Sequence, residues 1–156
     1  MVKLKEEEIV AKVQERFGER VKPIYVKPKR LKLLVKKESL AELASHLKSL
    51  GFDHVASVAG IDHKKDNEFE VVYHLSSYSQ DDLRSIVLAL ATRIPREDPV
   101  VSSLCEVWKS AEYHERETFE MFGIVFQGHP KLERLLLPED WDDIPPLRKD
   151  FMLPGR

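Results

Sequence analysis

The sequence predicts an α+β fold: a two-layer domain with helices on one face of a mixed sheet, followed by an extended C-terminal tail. Three observations predict it. Apolar residues recur at helical spacing in three separate segments, and short strand-like runs lie in pairs between them. The last part of the chain loses both periodicities. The predicted order is helix, two strands, helix, two to three strands, helix and tail, and such segregation of elements is typical of the α+β class.

The composition indicates a soluble protein of one domain. The 156 residues are enough to bury a core, and charged residues make up 33% of them with a net charge of −2. This balance argues against a nucleic-acid binder, which needs a basic face. Residues 1–20 are too charged for a signal peptide, and no stretch has the apolar length of a membrane span. We therefore expect a cytoplasmic chain that reaches a membrane only through partners. Its single asparagine beside many Lys, Arg and Glu residues favours a thermophilic source.

Residues 1–101 are predicted to form the α+β domain itself. Its first helix is Lys5–Phe17, which Gly18 ends as a C-cap. The apolar face of this helix consists of Ile9, Val10, Val13 and Phe17. The next segment, Ile24–Lys36, has two short apolar runs around a Pro-Lys-Arg turn and is typical of a hairpin.

The second helix begins with the spacing of a capping box. Ser39 precedes Glu42 by three residues, so each side chain is expected to accept a backbone N–H bond at the helix start. Gly51 ends the helix. Its predicted buried stripe consists of Leu40, Leu43, Ala44, Leu47 and Leu50.

Two further strands are predicted at His54–Ile61 and Phe69–Leu75, joined by the polar turn Asp62–Asn67. The segment Leu83–Ile94 is apolar enough for either a buried helix or a buried strand, and its periodicity does not separate the two. The turn Pro95–Pro99 follows it.

Residues 102–123 are predicted to hold one longer helix, Ser102–Phe122, with Gly123 after its last turn. Its apolar face consists of Leu104, Trp108, Ala111, Phe119 and Phe122. Glu115 lies on the same face, and a buried carboxylate is costly unless a cation and hydrogen bonds meet it.

The cations expected to reach Glu115 are Arg134, Arg148 or Lys149, or else a cation of another protein. On a neighbouring face of the helix, three charged side chains lie one turn apart and predict an ion-pair ladder. They are Glu112, Arg116 and Glu120.

No motif for catalysis or cofactor binding is complete in this chain. His114-Glu115 resembles the start of a zinc-binding helix motif, but Thr118 stands where the second histidine is needed. Glycines occur singly, so neither a phosphate-binding nor a dinucleotide-binding loop is present. Cys105, the only cysteine, can form no internal disulfide and hold no iron–sulfur cluster alone, and is expected to be a small buried apolar residue. We therefore expect no cofactor, no metal and no catalytic residue in this chain.

Residues 124–156 are predicted to form an extended partner-docking tail. Disordered tails are poor in aromatic and large aliphatic residues, whereas this one is rich in both. Such a stretch must bury its apolar side chains on something, and an interface is the interpretation that we favour.

The same region carries several motifs in a fixed order. Glu115-Arg116-Glu117 is followed by Glu120, Met121-Phe122 and Gly123-Ile124. Gly128-His129-Pro130 comes next, then Leu136-Leu137-Pro138-Glu139-Asp140-Trp141, and finally Pro146-Leu147-Arg148-Lys149-Asp150-Phe151. In these residues the chain resembles the C-type (30-kDa-type) subunit of complex I, the NADH–quinone oxidoreductase, and equally the homologous subunit of membrane-bound, energy-converting nickel–iron hydrogenases.

This resemblance implies a non-catalytic peripheral subunit on the cytoplasmic side of a redox-driven, ion-pumping membrane complex. Its partners would be the D-type subunit, which resembles the hydrogenase large chain, and the small B-type subunit, which holds an iron–sulfur cluster. Iron–sulfur clusters, and a nickel–iron centre in a hydrogenase, would belong to those partners. The resemblance also favours a strand for Leu83–Ile94. The implied docking residues are Glu115, Arg116, Glu117, Glu120, Phe122, His129, Pro130, Arg134, Leu136, Pro138, Asp140, Trp141, Pro146, Leu147, Arg148, Lys149, Asp150 and Phe151.

Several alternatives stay open. Short length and composition favour a ferredoxin-linked hydrogenase complex, and the C-type subunit of an NADH–quinone oxidoreductase is the first alternative. A small metal-dependent hydrolase built on His114, Glu117 and His129 is the second. A third is a free-standing binding module whose tail folds back on its own sheet.

Overall fold

The computed structural model describes residues 5–153 and confirms the predicted α+β class. The elements in chain order are α1 Lys5–Phe17, β1 Val21–Lys27, β2 Arg30–Val35, α2 Leu40–Leu50, β3 His54–His63, β4 Glu68–Ser76, β5 Val87–Pro95, β6 Val100–Ser102, α3 Glu112–Phe122 and β7 Val125–Gln127. The ends of the predicted segments 1–101 and 124–156 extend past the described residues. Of the helices in the described range, none is both long enough and apolar enough to cross a membrane.

The main sheet is mixed and has five strands in the order β1–β2–β5–β4–β3. The hairpin β1–β2 is antiparallel, as predicted, and turns through Pro28 and Lys29, where Lys29 has φ 68°. Strand β2 runs parallel to β5, whereas β5, β4 and β3 are antiparallel neighbours. Strands β6 and β7, which precede and follow α3 in the chain, form a separate parallel pair.

Helices α1 and α2 share one apolar core with one face of this sheet. The predicted apolar residues of α1 are all buried, and so are those of α2 except the half-buried Leu50. Alternate residues of β2, β4 and β5 point into the same core, among them Leu33, Tyr73 and Leu90. On the opposite face of the sheet, the described residues form a small apolar cluster of Val72, Ala89 and Ala91.

Helix α3 covers the outer edge of β3, which is an edge strand of the sheet. The Thr118 hydroxyl lies 3.4 Å from the Val58 carbonyl oxygen and 3.0 Å from that of His114 in its own helix. In the 3-10 turn just before α3, the Ser110 hydroxyl accepts the Val55 N–H at 3.0 Å. The Phe122 ring packs against Gly60 so closely that a Cβ there would lie 2.6 Å from the ring. The helix therefore occupies the edge where another strand could otherwise add.

The predicted helix Ser102–Phe122 was too long at its start. Ser102 ends β6, residues 103–108 form turns, and α3 begins at Glu112 after a 3-10 turn. Leu104 and Trp108 are buried in the same core as α3, so their spacing imitated a helical face without a helix. The Trp108 indole N–H donates a hydrogen bond to the Phe52 carbonyl at 2.7 Å, and this bond holds the segment before α3 against the end of α2.

Two local predictions also differ from the structure. Helix α2 begins after Ser39 and ends at Gly51, but Ser39 makes no side-chain cap bond, because a 3-10 turn at Lys37–Ser39 gives it a non-extended backbone. Glu42 pairs with Arg20 at 3.0 Å instead. The ambiguous segment Leu83–Ile94 is a strand only from Val87, since Leu83–Ile86 lies in turns.

We expect Gly60→Ala to destabilise the chain by about 1–3 kcal/mol, because the new methyl group overlaps the Phe122 ring. The backbone of Gly60 does not have the positive φ that only glycine favours, so the clash is the main effect. Urea unfolding of the full chain measures it. In the double variant with Phe122→Leu the penalty should shrink, and strictly additive free energies of unfolding would contradict this packing.

Candidate partner-docking site

The Glu115 carboxylate is fully buried, and its partners are hydrogen-bond donors of this chain. The Tyr73 hydroxyl donates to Oε2 at 2.6 Å, and the Leu104 N–H donates to the same oxygen at 2.8 Å. The Ser103 hydroxyl and the Cys105 thiol donate to Oε1. This arrangement connects β4, the turn before α3 and α3 itself through one buried charge.

The expectation that Arg134, Arg148 or Lys149 would reach Glu115 was wrong. The Arg134 guanidinium donates to the Pro138 carbonyl, Arg148 pairs with Asp150, and none of the three forms an ion pair with Glu115 among residues 5–153. Neutral donors satisfy the carboxylate without the cost of burying a second charge.

Two groups beside Glu115 are held in their protonated forms. Burial raises the pKa of Tyr73 well above its ordinary value, and the Glu115 charge raises it further. Burial also raises the pKa of the Cys105 thiol to about 12, with the Glu115 and Glu112 charges adding to the effect against a hydrogen bond from Ser103. A thiol of this kind is a poor nucleophile. Cys105 itself is half-buried in a turn and hydrogen-bonded to Glu115, rather than a fully buried apolar residue as predicted.

Cys105, Glu115 and His129 are the group in the described chain whose potential metal-ligand atoms lie within 4.8 Å of one another. His129 Nε2 donates to the Glu112 carbonyl at 2.9 Å, and its Nδ1 accepts from the Lys131 N–H at 2.9 Å. Because the thiol is also bonded to Glu115, each of these groups already has a partner, and an ion would have to replace those bonds.

The grouping of His114, Glu117 and His129 proposed for a hydrolase does not form. His114 and Glu117 line a shallow groove between α3 and β3, together with Met121 and Leu147. His129 lies with Cys105 and Glu115 instead.

Glu120 holds the first part of the C-terminal segment, by which we mean residues 128–153. Its carboxylate, nearly fully buried, accepts three consecutive backbone N–H groups at 2.6–3.0 Å. They belong to Leu135, Leu136 and Leu137. Hydrogen bonds to a charged acceptor are the stronger kind, so this contact fixes the backbone of the segment.

Arg116 binds the same part of the segment. Its guanidinium donates to the carbonyls of Glu133 and Arg134 at 3.2 and 3.3 Å. The predicted ladder of Glu112, Arg116 and Glu120 is therefore not formed, because Arg116 and Glu120 both turn towards the C-terminal segment. Together they clamp residues 133–137 against α3.

A second anchor holds the end of the segment. The Leu147 N–H donates to the Met121 carbonyl at 2.9 Å, and the Lys149 N–H donates to the buried Asp62 carboxylate at 2.8 Å. Asp62 also pairs with Arg96 at 3.0 Å, and Arg96 reaches Asp150 at 3.4 Å.

The Arg148 guanidinium makes two 3.0 Å bonds to Asp150, which lower the pKa of that carboxyl. Arg96 and Arg148 both lie over the Phe69 ring, at 5.5 and 5.4 Å from its centroid. The charged residues of the closing motif thus contact their own domain, apart from the Lys149 ammonium group.

The aromatic residues at the end of α3 and in the predicted tail pack within the chain. Phe122 and Phe126 are buried in the core, and Trp141 and Phe151 pack against each other at 5.9 Å. The Trp141 indole N–H is bonded to the Ile144 carbonyl. Aliphatic side chains are exposed instead, with Leu136 at 63% and Leu147 at 57%. The others are Leu135, Met152 and Leu153.

The predicted docking residues therefore separate into three groups. Glu115, Arg116, Glu120 and Phe122 are buried inside the chain. His129, Trp141, Pro146, Arg148 and Phe151 are half-buried. Glu117, Pro130, Arg134, Leu136, Pro138, Asp140, Leu147, Lys149 and Asp150 are exposed.

Three functional residues were not predicted from the sequence: Tyr73, Asp62 and Arg96. No local signal marks them, because each meets its partner across a long stretch of sequence. Tyr73 belongs to a predicted strand, but its inward direction follows only from the register of β4 with β3 and β5.

We expect Tyr73→Phe to lower the free energy of unfolding by about 1.5–3 kcal/mol, since it removes one donor from a buried charged carboxylate. Tyr78→Phe is the matched control, because that side chain is 64% exposed and should change stability by less than about 0.5 kcal/mol. Denaturant unfolding measures both, and equal values for the two variants would contradict the role assigned to Glu115.

We expect Glu120→Ala to increase amide hydrogen exchange of residues 135–137 by about tenfold or more, because three N–H groups lose a charged acceptor. Exchange of the α1 and α2 amides should stay unchanged. Glu117→Ala, an exposed position on the same helix, is the control. Unaltered exchange at residues 135–137 would show that Glu120 does not hold the segment.

Comparisons with known proteins agree with the motifs and with the fold. Residues 33–156 match the family described as respiratory-chain NADH dehydrogenase, 30 Kd subunit. The C subunit of the F(420)H(2) dehydrogenase of Methanosarcina mazei is 42% identical over 125 residues, which cover 80% of this chain and 77% of that protein. The C subunit of the NADH-quinone oxidoreductase of Roseiflexus sp. is 43% identical over 127 residues, covering 79% and 70%.

Two solved structures share the fold. A chain of the membrane-bound sulfane sulfur reductase, an archaeal respiratory membrane complex, superposes with a TM-score of 0.81 at 25% identity, covering 94% of this chain and 85% of that one. The trypsin-resistant fragment of Nqo5 gives 0.68 at 27% identity, covering 81% and 98%. The chain therefore belongs to the family of the 30 kDa subunit of respiratory-chain NADH dehydrogenase.

Proposed function

We propose that this chain is a structural subunit of a membrane-bound respiratory complex related to complex I. In this proposal it has no catalytic role of its own, and it holds neighbouring subunits together through the exposed side chains of the C-terminal segment. It lies on the cytoplasmic side of the membrane as a peripheral subunit.

One observation carries the proposal. The backbone of the C-terminal segment is hydrogen-bonded to its own domain by Glu120, Arg116 and Asp62, while several of its aliphatic side chains, Leu136 and Leu147 among them, are exposed. The backbone of this irregular segment is held by buried charged side chains, while several of its large aliphatic side chains are exposed. Such an arrangement is typical of a surface that presents apolar side chains to a partner. Apolar grooves of a neighbouring subunit are the surfaces that such side chains fit.

The names of the similar proteins support the class of complex. They are the C subunits of a dehydrogenase and of a quinone oxidoreductase, and part of a sulfane sulfur reductase, which is itself a respiratory membrane complex. The ferredoxin-linked hydrogenase favoured by length and composition belongs to the same wider class. We propose the same structural place for the chain whichever electron donor and acceptor the complex uses.

The neighbours that we propose follow from the family resemblance. The first is the D-type subunit, which resembles the large chain of nickel–iron hydrogenases, and the second is the small iron–sulfur subunit of the B type. In this arrangement the redox centres belong to those two neighbours.

The segment is proposed to be ordered before it meets its partner. The third alternative, a free-standing binding module whose tail folds back on its own sheet, shares this backbone arrangement in part, because the contacts are with α3 and with Asp62 of β3. The two ideas differ in the exposed leucines, which a free-standing module would not need. An ordered segment also loses less conformational entropy on binding than a flexible one.

The test replaces two exposed leucines and leaves the anchors intact. We expect Leu136→Gln with Leu147→Gln to reduce recovery of partner subunits on the tagged full-length chain by at least about tenfold, because each buried leucine contributes about 1.5–3 kcal/mol. Affinity purification from the native cells, with partners identified by mass spectrometry, gives the readout.

The matched control is Ile24→Gln with Val87→Gln, which changes two exposed apolar residues elsewhere on the sheet. Neither pair should alter stability appreciably, since all four side chains are exposed. Equal recovery of partners with both double variants would refute the proposed docking surface.

A further inference from the structure

Three lysines surround one cleft beside the end of the C-terminal segment. Lys64 and Lys65 lie in the 3-10 turn between β3 and β4, and Lys149 lies in the closing motif. With His63 and Asp66 they line a cleft of about 540 Å³. We call Lys64, Lys65 and Lys149 the lysine cluster.

The carboxylates around this cleft are already paired within the chain. Asp66 pairs with Arg93 at 2.8 Å, and Glu70 pairs with Lys32 at 2.6 Å and with His63 at 2.8 Å. Asp62 and Asp150 are engaged by Arg96 and Arg148, as described above. By contrast, no carboxylate oxygen of residues 5–153 lies within 4.0 Å of an ammonium group of the lysine cluster.

Backbone hydrogen bonds hold the main chain that carries the three lysines. The Lys149 N–H is bonded to Asp62, and the turn that carries Lys64 and Lys65 is closed by the Asn67 N–H bond to the Lys64 carbonyl at 3.2 Å. Asn67 adopts a left-handed conformation with φ 55°, which ends this turn sharply. The Asp66 carboxylate that shares the cleft is paired with Arg93, so the three lysine charges give this cleft a positive potential that favours negative charge from outside the chain.

We propose that the lysine cluster binds an acidic segment of a partner protein, with Asp or Glu side chains opposite the ammonium groups. The inference rests on the proposed function, because Lys149 is two residues from the exposed Leu147 and belongs to the same surface. Separate ammonium groups on flexible stems suit several carboxylates, whereas one planar anion is better matched by arginine. The lysine cluster then makes an otherwise apolar interface specific for a negatively charged partner surface.

A zero-length cross-linker tests the contact directly. A carbodiimide joins a lysine amine to a carboxylate only where the two are in contact, so we treat the intact complex, isolated through a tag on the full-length chain, and map the products by mass spectrometry. The expected products join Lys64, Lys65 or Lys149 to Asp or Glu of a partner. Free labelling of all three lysines by an amine reagent in the intact complex would overturn the inference.

Charge reversal gives a second readout. We expect K64E/K65E to lower partner recovery at least about threefold at low ionic strength, because charge attraction is replaced by repulsion. The difference from the wild type should shrink as salt is added, since salt screens both the attraction and the repulsion. The matched control K22E/K27E makes the same charge change at exposed positions of β1, at the other edge of the sheet, and should behave like the wild type.

The outcomes separate this inference from the proposed function. If the wild type recovers partners, the leucine variant loses them and K64E/K65E does not, the lysine cluster is not a docking site and the proposed function stands. If the wild type recovers no partner, both fail. Binding of the wild type, but not of K64E/K65E, to vesicles containing phosphatidylglycerol, together with no cross-link to a partner, would assign the cluster to a lipid surface and overturn the inference.

Discussion

The buried carboxylate of Glu115 is the interaction on which the rest of this structure depends. A buried charge needs hydrogen bonds or an opposite charge to offset its lost solvation. Here Tyr73 on β4 and the turn at Ser103–Cys105 donate hydrogen bonds to the carboxylate, and no cation of the described residues pairs with it. In this turn the Leu104 N–H and the Ser103 and Cys105 side chains donate to the carboxylate. Helix α3 begins after it, at Glu112, and lies along the edge of β3. The packing of Phe122 on Gly60 then fixes the position of its C-terminal end.

Glu120, the next buried acidic residue of α3, contacts the C-terminal segment, whereas Glu115 contacts the core of the domain. Glu120 lies five residues after Glu115 and faces the C-terminal segment, where it accepts the N–H groups of residues 135–137. Arg116 completes the contact from the same side of the helix. Helix α3 therefore connects the core of the domain to a segment without regular structure. A displacement of the helix would loosen both contacts together.

The C-terminal segment has an inner and an outer side although it is neither a helix nor a strand. Its inner side includes backbone groups and charged side chains bonded to the domain, and its outer side carries aliphatic side chains together with charged ones, the Lys149 ammonium group among them. Regular elements obtain two such sides from a repeating pattern. Here anchors at Glu120, Met121 and Asp62 produce them, and this explains why the segment has no periodicity to detect. The arrangement suits a subunit that must present a fixed surface before assembly.

Local patterns in the sequence were sufficient for the fold class, both N-terminal helices, the hairpin and the paired strands β3 and β4, since each depends on periodicity and turn residues within one short segment. The family motifs also lie within short segments, so they were visible without a structure. The start of α3, the missing cap at Ser39 and the four donors to Glu115 were not predictable, because they depend on contacts between distant residues. Burial of Glu115 followed from its position on an apolar face, yet the identity of its partners required the register of β4. Sequence by itself thus determined which elements form and which family the chain resembles. Only the tertiary structure decided which side chains hold the C-terminal segment and which it exposes, because long-range contacts set the direction of each side chain.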